Sequence, residues 1–296
     1  MKIIAVIVTY NRLTLLKRLL KEITAAEGLD SIIVVNNGST DGTQEWLDTQ
    51  TGIRVIHQDN VGGSGGFYTG MQQACDDGAD WIWCMDDDVY PEPDCLEQLL
   101  KLANDDSIGI LCPRRIQDGK VFVNECRKIN LTNAFASLHG SRLEDNISEP
   151  ADIEGMVFEG PLISRKVVEK AGLPNKDLFI FYDDTDYSLR TTMAGFRVVY
   201  VPQARMQKEL FFSNDSWETK QAKKKWKRKY HIRNSAWFNH HYGKNFAVRH
   251  LRSLNTLLGY TASALWLCLT SKQYHLSDIR QLFRAYSDGI NERLGK

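Results

Sequence analysis

The sequence predicts an α/β fold, a mixed and mostly parallel sheet flanked by helices, followed by a helical C-terminal region. Three observations lead there. Short apolar runs alternate with amphipathic stretches over the first 110 residues. Polar and acidic motifs recur where those runs stop. Charge is also divided unevenly: 18 Lys and Arg face 6 Asp and Glu from Val201 onward, leaving 19 against 31 before it, although the whole chain is neutral. Alternating strands and helices imply a sheet covered on both faces, with ligands beyond the carboxyl ends of its strands.

Residues 3–8 predict the first strand, because the run is short for a signal peptide and lacks a small-residue cleavage pattern. Thr9, Tyr10, Asn11 and Arg12 then occupy a strand-to-helix turn before a helix over 13–26. Polar groups there can meet a nucleotide and its phosphates, or Asn11 or Thr14 can simply cap the helix. After a second strand, 31–35, comes Asn36-Asn37-Gly38-Ser39-Thr40-Asp41-Gly42. Its Asn-Gly pair reads as a turn, while an asparagine amide can also pair with the imide edge of a base. Residues 43–49 predict a helix and 53–56 a strand. Gly62, Gly63, Gly65 and Gly66 surround Ser64 ahead of a helix over 66–78. Glycines suit a flexible turn, and equally a loop whose backbone approaches an anion at a helix N-terminus.

The strand predicted over 81–85 runs into Asp86, Asp87 and Asp88, with Pro91 marking the following loop. Such triplets occur on solvated loops, but carboxylates at a strand end are also hard ligands for Mg2+ or Mn2+ that leave positions open for substrate phosphates. A helix follows over 92–103. The region 110–159 divides poorly, with 121–123 and 156–158 as candidate strands. Another helix covers 164–171. Asp183, Asp184 and Asp186 then stand at the mouth of a helix reaching 194, where free N–H groups and the helix dipole favour carboxylates. Asp186 and Arg190 are spaced for a salt bridge. Residues 196–202 predict the last strand.

Beyond it lies the basic run 220–233, with Trp226 and Tyr230 among its lysines. Basic helices are usually solvated faces; aromatic residues beside lysines also suit an anionic bilayer interface, whereas no motif supports nucleic-acid binding. Residues 254–270 fall short of the roughly 20 apolar residues of a spanning helix, which predicts a helix lying on the domain or on a bilayer surface. Six cysteines without zinc-like spacing predict reduced thiols and a cytoplasmic setting.

Five motifs in order resemble family 2 glycosyltransferases of the GT-A fold: Val8 to Arg12, Val35 to Gly42, Asn60 to Phe67, Met85 to Pro91 and Tyr182 to Arg190. The resemblance covers about the first 205 residues, and within the family it is greatest to galactofuranosyltransferases, then rhamnosyltransferases. It implies a catalytic domain over 1–205 with a basic helical region over 206–296. It further implies an inverting transfer from a nucleotide-sugar, UDP-galactofuranose or alternatively dTDP-rhamnose, to a glycan or lipid-linked glycan at the inner face of the cell membrane, with oligomerisation left open. Thr9, Tyr10, Arg12, Asn37, Gly62, Gly63, Asp86, Asp87 and Lys208 would hold the donor. Asp86 and Asp88 would hold Mn2+ or Mg2+. Asp184 would be the base, with Asp183 beside it. Two departures stand out: Asn36-Asn37 replaces a segment where relatives carry aspartate, and Lys208 stands near a position where relatives often supply a metal-binding histidine. A noncatalytic nucleotide-sugar binder would show such departures too.

Overall fold

The computed structural model describes residues 1–24, 26–210, 217–270 and 274–296. Ala25, within the first predicted helix, and residues 211–216 and 271–273 of the C-terminal region lie outside the described residues. The chain forms two compact units: residues 1–129, 141–176 and 184–210, and residues 130–140, 177–183 and 211–296.

In the first unit the predicted alternation is realised as β1 (Ile3–Thr9), α1 (Leu13–Ile23), β2 (Ser31–Asn36), α2 (Thr43–Leu47), β3 (Arg54–His57), α3 (Gly62–Asp76) and β4 (Trp81–Asp86). β3, β2, β1 and β4 are parallel neighbours. Their residues read as continuous apolar runs because both faces are covered, one by Leu16, Leu19 and Ile23 of α1, the other by Phe67, Met71 and Ala74 of α3. Gly66 and Gly70 permit this second contact. A Cβ on Gly70 would lie 2.3 Å from Val6 Cγ1, and one on Gly66 2.5 Å from Val8 Cγ1, so the helix rests directly on β1.

Next come β5 (Val89–Pro91), α4 (Cys95–Leu100), β6 (Ile108–Gln117) and β7 (Lys120–Val121). β8 (Cys126–Ile129) and β9 (His139–Arg142) stand outside the main sheet. β10 (Ala151–Ile153), β11 (Leu162–Ser164), α5 (Arg165–Ala171), α6 (Asp183–Met193) and β12 (Arg197–Lys208) complete the region. The sheet order is β10-β12-β6-β11-β4-β1-β2-β3, with β5 on β12 and β7 on β6. β6 and β12 are parallel to each other, whereas β11 and β10 run against their neighbours.

The strand expected at 156–158 is absent: Met156 and Phe158 are buried side chains of an irregular segment. Apolar content there reflects core packing, and the pairing falls to β10 and β11 on either side. β12 also outruns its expected end at residue 202. Pro202 lacks an N–H for a ladder, and the register between β12 and β6 shifts between Val201 and Arg205 to accommodate it. That extension delivers Lys208.

The second unit contains α7 (Trp217–Lys224), α8 (Lys227–Tyr242), a π-helical turn (Ala247–Arg252), α9 (Ser253–Thr270) and α10 (Leu276–Ile290). Its core joins Ile232, Leu257, Ala264, Leu267, Leu282 and Ala285. No described helix is long and apolar enough to cross a membrane. All six cysteines are free, and burial pushes the thiols of Cys84, Cys95, Cys112 and Cys126 up, which suits packing and not nucleophilic chemistry.

Candidate active site

Strand register assembles the site. Thr9 pairs with Asn36, and Val8 with Asp86, so β2, β1 and β4 end abreast. Asp87 and Asp88 then turn the chain into β5, whose antiparallel register with β12 sets Val89 opposite Lys208. The Glu209 amide donates to the Asp88 carbonyl at 2.9 Å. Two segments 120 residues apart thereby meet at one edge.

Asp87 is 3% exposed and accepts from Thr9 Oγ1 at 2.7 Å and Arg12 Nη1 at 2.9 Å. The same guanidinium nitrogen reaches Asp88 Oδ2 at 2.9 Å. Burial pushes the Asp87 carboxyl up to about 6, against the pull of Arg12 and Thr9. Asp86 is raised well above the carboxylate range by burial and then by Asp88, Glu159 and Asp87, with Lys208 opposing. Asp88 Oδ1 is buried without a hydrogen-bond partner; Lys208 Nζ lies 3.7 Å away. A cluster rich in acid with an unsatisfied buried oxygen fits a hard divalent cation. Asp86 and Asp88 are the carboxylates that could hold one. Among the described residues no three His, Cys, Asp or Glu side chains converge as a metal cage.

Lys208 belongs to a buried chain of charges that sequence reasoning missed. Its Nζ donates to Glu159 Oε1 at 2.6 Å, Arg115 donates to Glu159 Oε2, and Arg115 also grips both oxygens of Glu125 at 2.8 and 2.9 Å. Although burial raises Glu159, Arg115 and Lys208 outweigh it and hold the carboxylate below its ordinary range. Gly160 makes room: its φ is +97°, and a Cβ there would lie 2.0 Å from Met206 Sδ. Its carbonyl accepts from Trp83 Nε1 at 3.0 Å. Only distant pairing brings Arg115, Glu125 and Glu159 together, so no local spacing announced them.

Asn37 and the glycine segment differ from expectation. The Asn37 oxygen accepts from Gln58 Nε2 at 2.9 Å and Val61 N at 3.2 Å, and its NH2 donates to the Gly62 carbonyl at 3.0 Å. In this state the side chain fastens the loop before α3 and does not present a base-pairing edge. The glycine segment forms the first turns of α3 instead of a loop ahead of it: Gly62 and Gly63 open the helix, and Gly65 and Gly66 serve packing. Asn36 bonds His57 Nδ1 at 3.1 Å, and His57 Nε2 lies 3.0 Å from Asp48. Asp41, not Asn11 or Thr14, satisfies the start of α1 by accepting from Leu13 N at 3.0 Å. Tyr10 projects outward, 46% exposed.

α6 begins at Asp183 and Asp184. Asp184 is half-buried, and its Oδ1 accepts from Thr185 N at 2.6 Å. The Cys126 thiol, raised first by burial and then by Glu154, also feels Glu125 and Asp184. Two turns of α6 lie deeper: Asp186 bonds Arg190 Nε at 2.9 Å, the predicted i,i+4 pair. Before α6, Phe179, Phe181 and Tyr182 have φ of +67°. Asn234 of α8 donates to the carbonyls of Leu178, Ile180 and Phe181, each at 2.9 Å, fixing a backbone that non-glycine residues rarely adopt.

A model of the family "Glycosyl transferase family 2" matches residues 4–172. The chain is 28% identical over 200 residues to galactofuranosyltransferase GlfT1 of Mycolicibacterium smegmatis, covering 64% of this chain and 65% of that protein. It is 26% identical over 220 residues to undecaprenyl-phosphate mannosyltransferase of Micrococcus luteus, covering 71% and 86% respectively. Among solved structures, a mannosyltransferase from Pyrobaculum calidifontis in complex with GDP-Man and Mn2+ superimposes with a TM-score of 0.54 at 16% identity, over 99% of this chain and 88% of that one.

Proposed function

The chain belongs to glycosyl transferase family 2, and on that footing we propose that it catalyses transfer of a sugar, galactofuranose from UDP-galactofuranose, to a glycan or lipid-linked glycan acceptor. The fold is that of GT-A glycosyltransferases. One observation supports the chemistry above the rest: Asp88 Oδ1 is buried without a hydrogen bond, 3.7 Å from Lys208 Nζ, at the carboxyl edge of the sheet. Mn2+ or Mg2+ held by Asp86 and Asp88 would supply Lewis-acid neutralisation of the donor diphosphate. Lys208 offers a fixed positive charge to the same phosphates, and Thr9 and Arg12 hold Asp87 and Asp88 in place.

In the inverting reaction, Asp184 takes the acceptor hydroxyl proton, the acceptor oxygen bonds to the anomeric carbon, and the bond from that carbon to the diphosphate oxygen breaks. The electron pair leaves with the nucleoside diphosphate. Asp183 assists acceptor binding. Galactofuranose is favoured by the glycine, triple-aspartate and aromatic-aspartate motifs together with the galactofuranosyltransferase relatives; dTDP-rhamnose is the competing donor. The basic segment 220–233 keeps the protein beside an anionic membrane bearing the acceptor. A thermal-shift panel of uridine, thymidine and guanosine diphosphates and their sugars with Mn2+ tests the donor. Greatest stabilisation by UDP-galactofuranose supports this reading; greatest stabilisation by a thymidine or guanosine nucleotide-sugar overturns the sugar, and no response to any overturns the donor site.

A further inference from the structure

None of the 18 residues of α9 is charged, and the helix is apolar on more than one side. One side is covered: Leu257, Ala264 and Leu267 pack with Ile232, Leu282 and Ala285 in the core of the second unit. The other side is open. Leu258, Leu265 and Leu269 recur at helical spacing on it with Trp266 alongside; Leu269 is 85% and Trp266 61% exposed. A helix that is apolar on two sides needs apolar surroundings on both, and the described residues supply them on one.

The surrounding charge indicates what covers the rest. Lys225, Trp226, Arg228 and Lys229 line a hollow of about 350 Å3 whose wall includes Ala264 of α9 and Leu282 of α10. Lys225 is paired with Asp278 at 2.7 Å, while Lys223, Lys224 and Lys229 are exposed. From Val201 onward cations outnumber anions threefold. With that net positive charge, two copies meeting through α9 would bring like charges together, whereas an anionic bilayer complements both the leucine stripe and the charge of the C-terminal region.

We infer that the Leu258–Leu265–Leu269 face of α9, with Trp266, lies in the interfacial layer of an anionic bilayer, toward which the net positive charge of the C-terminal region draws the protein. This deepens the membrane-acceptor reading and rests on it. α9 lies in the plane of the membrane and seats the second unit, with Trp266 at headgroup level.

The test is co-sedimentation of the full chain with vesicles of phosphatidylcholine, with or without phosphatidylglycerol, at low and high salt. Binding to the anionic vesicles is expected, and Leu265→Glu with Leu269→Glu should lower it by about tenfold or more. Both positions are exposed, so stabilisation by UDP-galactofuranose should persist in the double variant and report an intact fold. Failure of the wild type to bind anionic vesicles overturns the inference. So does binding unchanged by the leucine variants but abolished by Lys223→Glu with Lys224→Glu, which leaves the basic segment as sole anchor. A soluble dimer dissolved by the leucine variants, without vesicle binding, assigns the face to a second copy. Loss of the nucleotide response alone refutes the donor assignment and leaves vesicle binding to be judged separately.

Discussion

At Asp88, strand geometry and chemistry meet: one carboxylate oxygen is held by Arg12 and the other is buried without a hydrogen bond. Asp88→Asn removes the charge that a cation needs, so Mn2+ affinity measured by electron paramagnetic resonance should fall, and sugar transfer should drop by about 100-fold or more. Lys208→Met should weaken binding of the nucleoside diphosphate measured by calorimetry without metal, because its ammonium lies 3.7 Å from that oxygen. Unchanged affinity would remove Lys208 from the donor site. Glu159 provides a pH-dependent signature. Its carboxylate is held below the ordinary range, so its charge stabilises the folded state at neutral pH and that contribution drains away as pH falls below about 4.3. Glu159→Gln should therefore lose about 3 kcal/mol or more at neutral pH, since Arg115 and Lys208 lose a buried counter-charge, and should show a shallower acid-side decline in denaturant titrations.

Among the elements, the α3–β1 contact and the end of β12 determine whether the site forms. Gly70→Ala places a Cβ 2.3 Å from Val6 Cγ1, and the helix must shift; a stability loss of about 1–3 kcal/mol is expected in urea unfolding. Strands β1 to β4 and their helices were legible because covered parallel strands read as apolar runs, and the acidic triplet was legible because it interrupts one. The later elements were harder for a physical reason. β11 is three residues long and β6 carries Arg114 and Arg115 within it, so neither shows the expected pattern, while Pro202 masked the continuation of β12. Asn37 and the glycines look the same in sequence whether they meet a ligand or fasten a helix; only hydrogen bonds and contacts distinguish the two. The charge chain through Arg115 was invisible because its members come from three separated segments.

Across the whole molecule, the uneven distribution of charge acquires a structural meaning. The acidic part contains the aspartate cluster, and the basic part contains α7, α8 and the uncharged α9. Membrane recruitment should therefore depend on salt while donor binding at the aspartate cluster depends on divalent cation, two responses separable in one preparation. The central claim is that Asp184 takes the proton of the acceptor hydroxyl as that oxygen attacks the anomeric carbon of a donor bound at the Asp86–Asp88 edge. Its most direct measurement is sugar transfer from UDP-galactofuranose by Asp184→Asn, read beside donor-induced thermal stabilisation of the same sample. The account predicts transfer reduced by at least about 100-fold with stabilisation retained; transfer at the wild-type rate would contradict it.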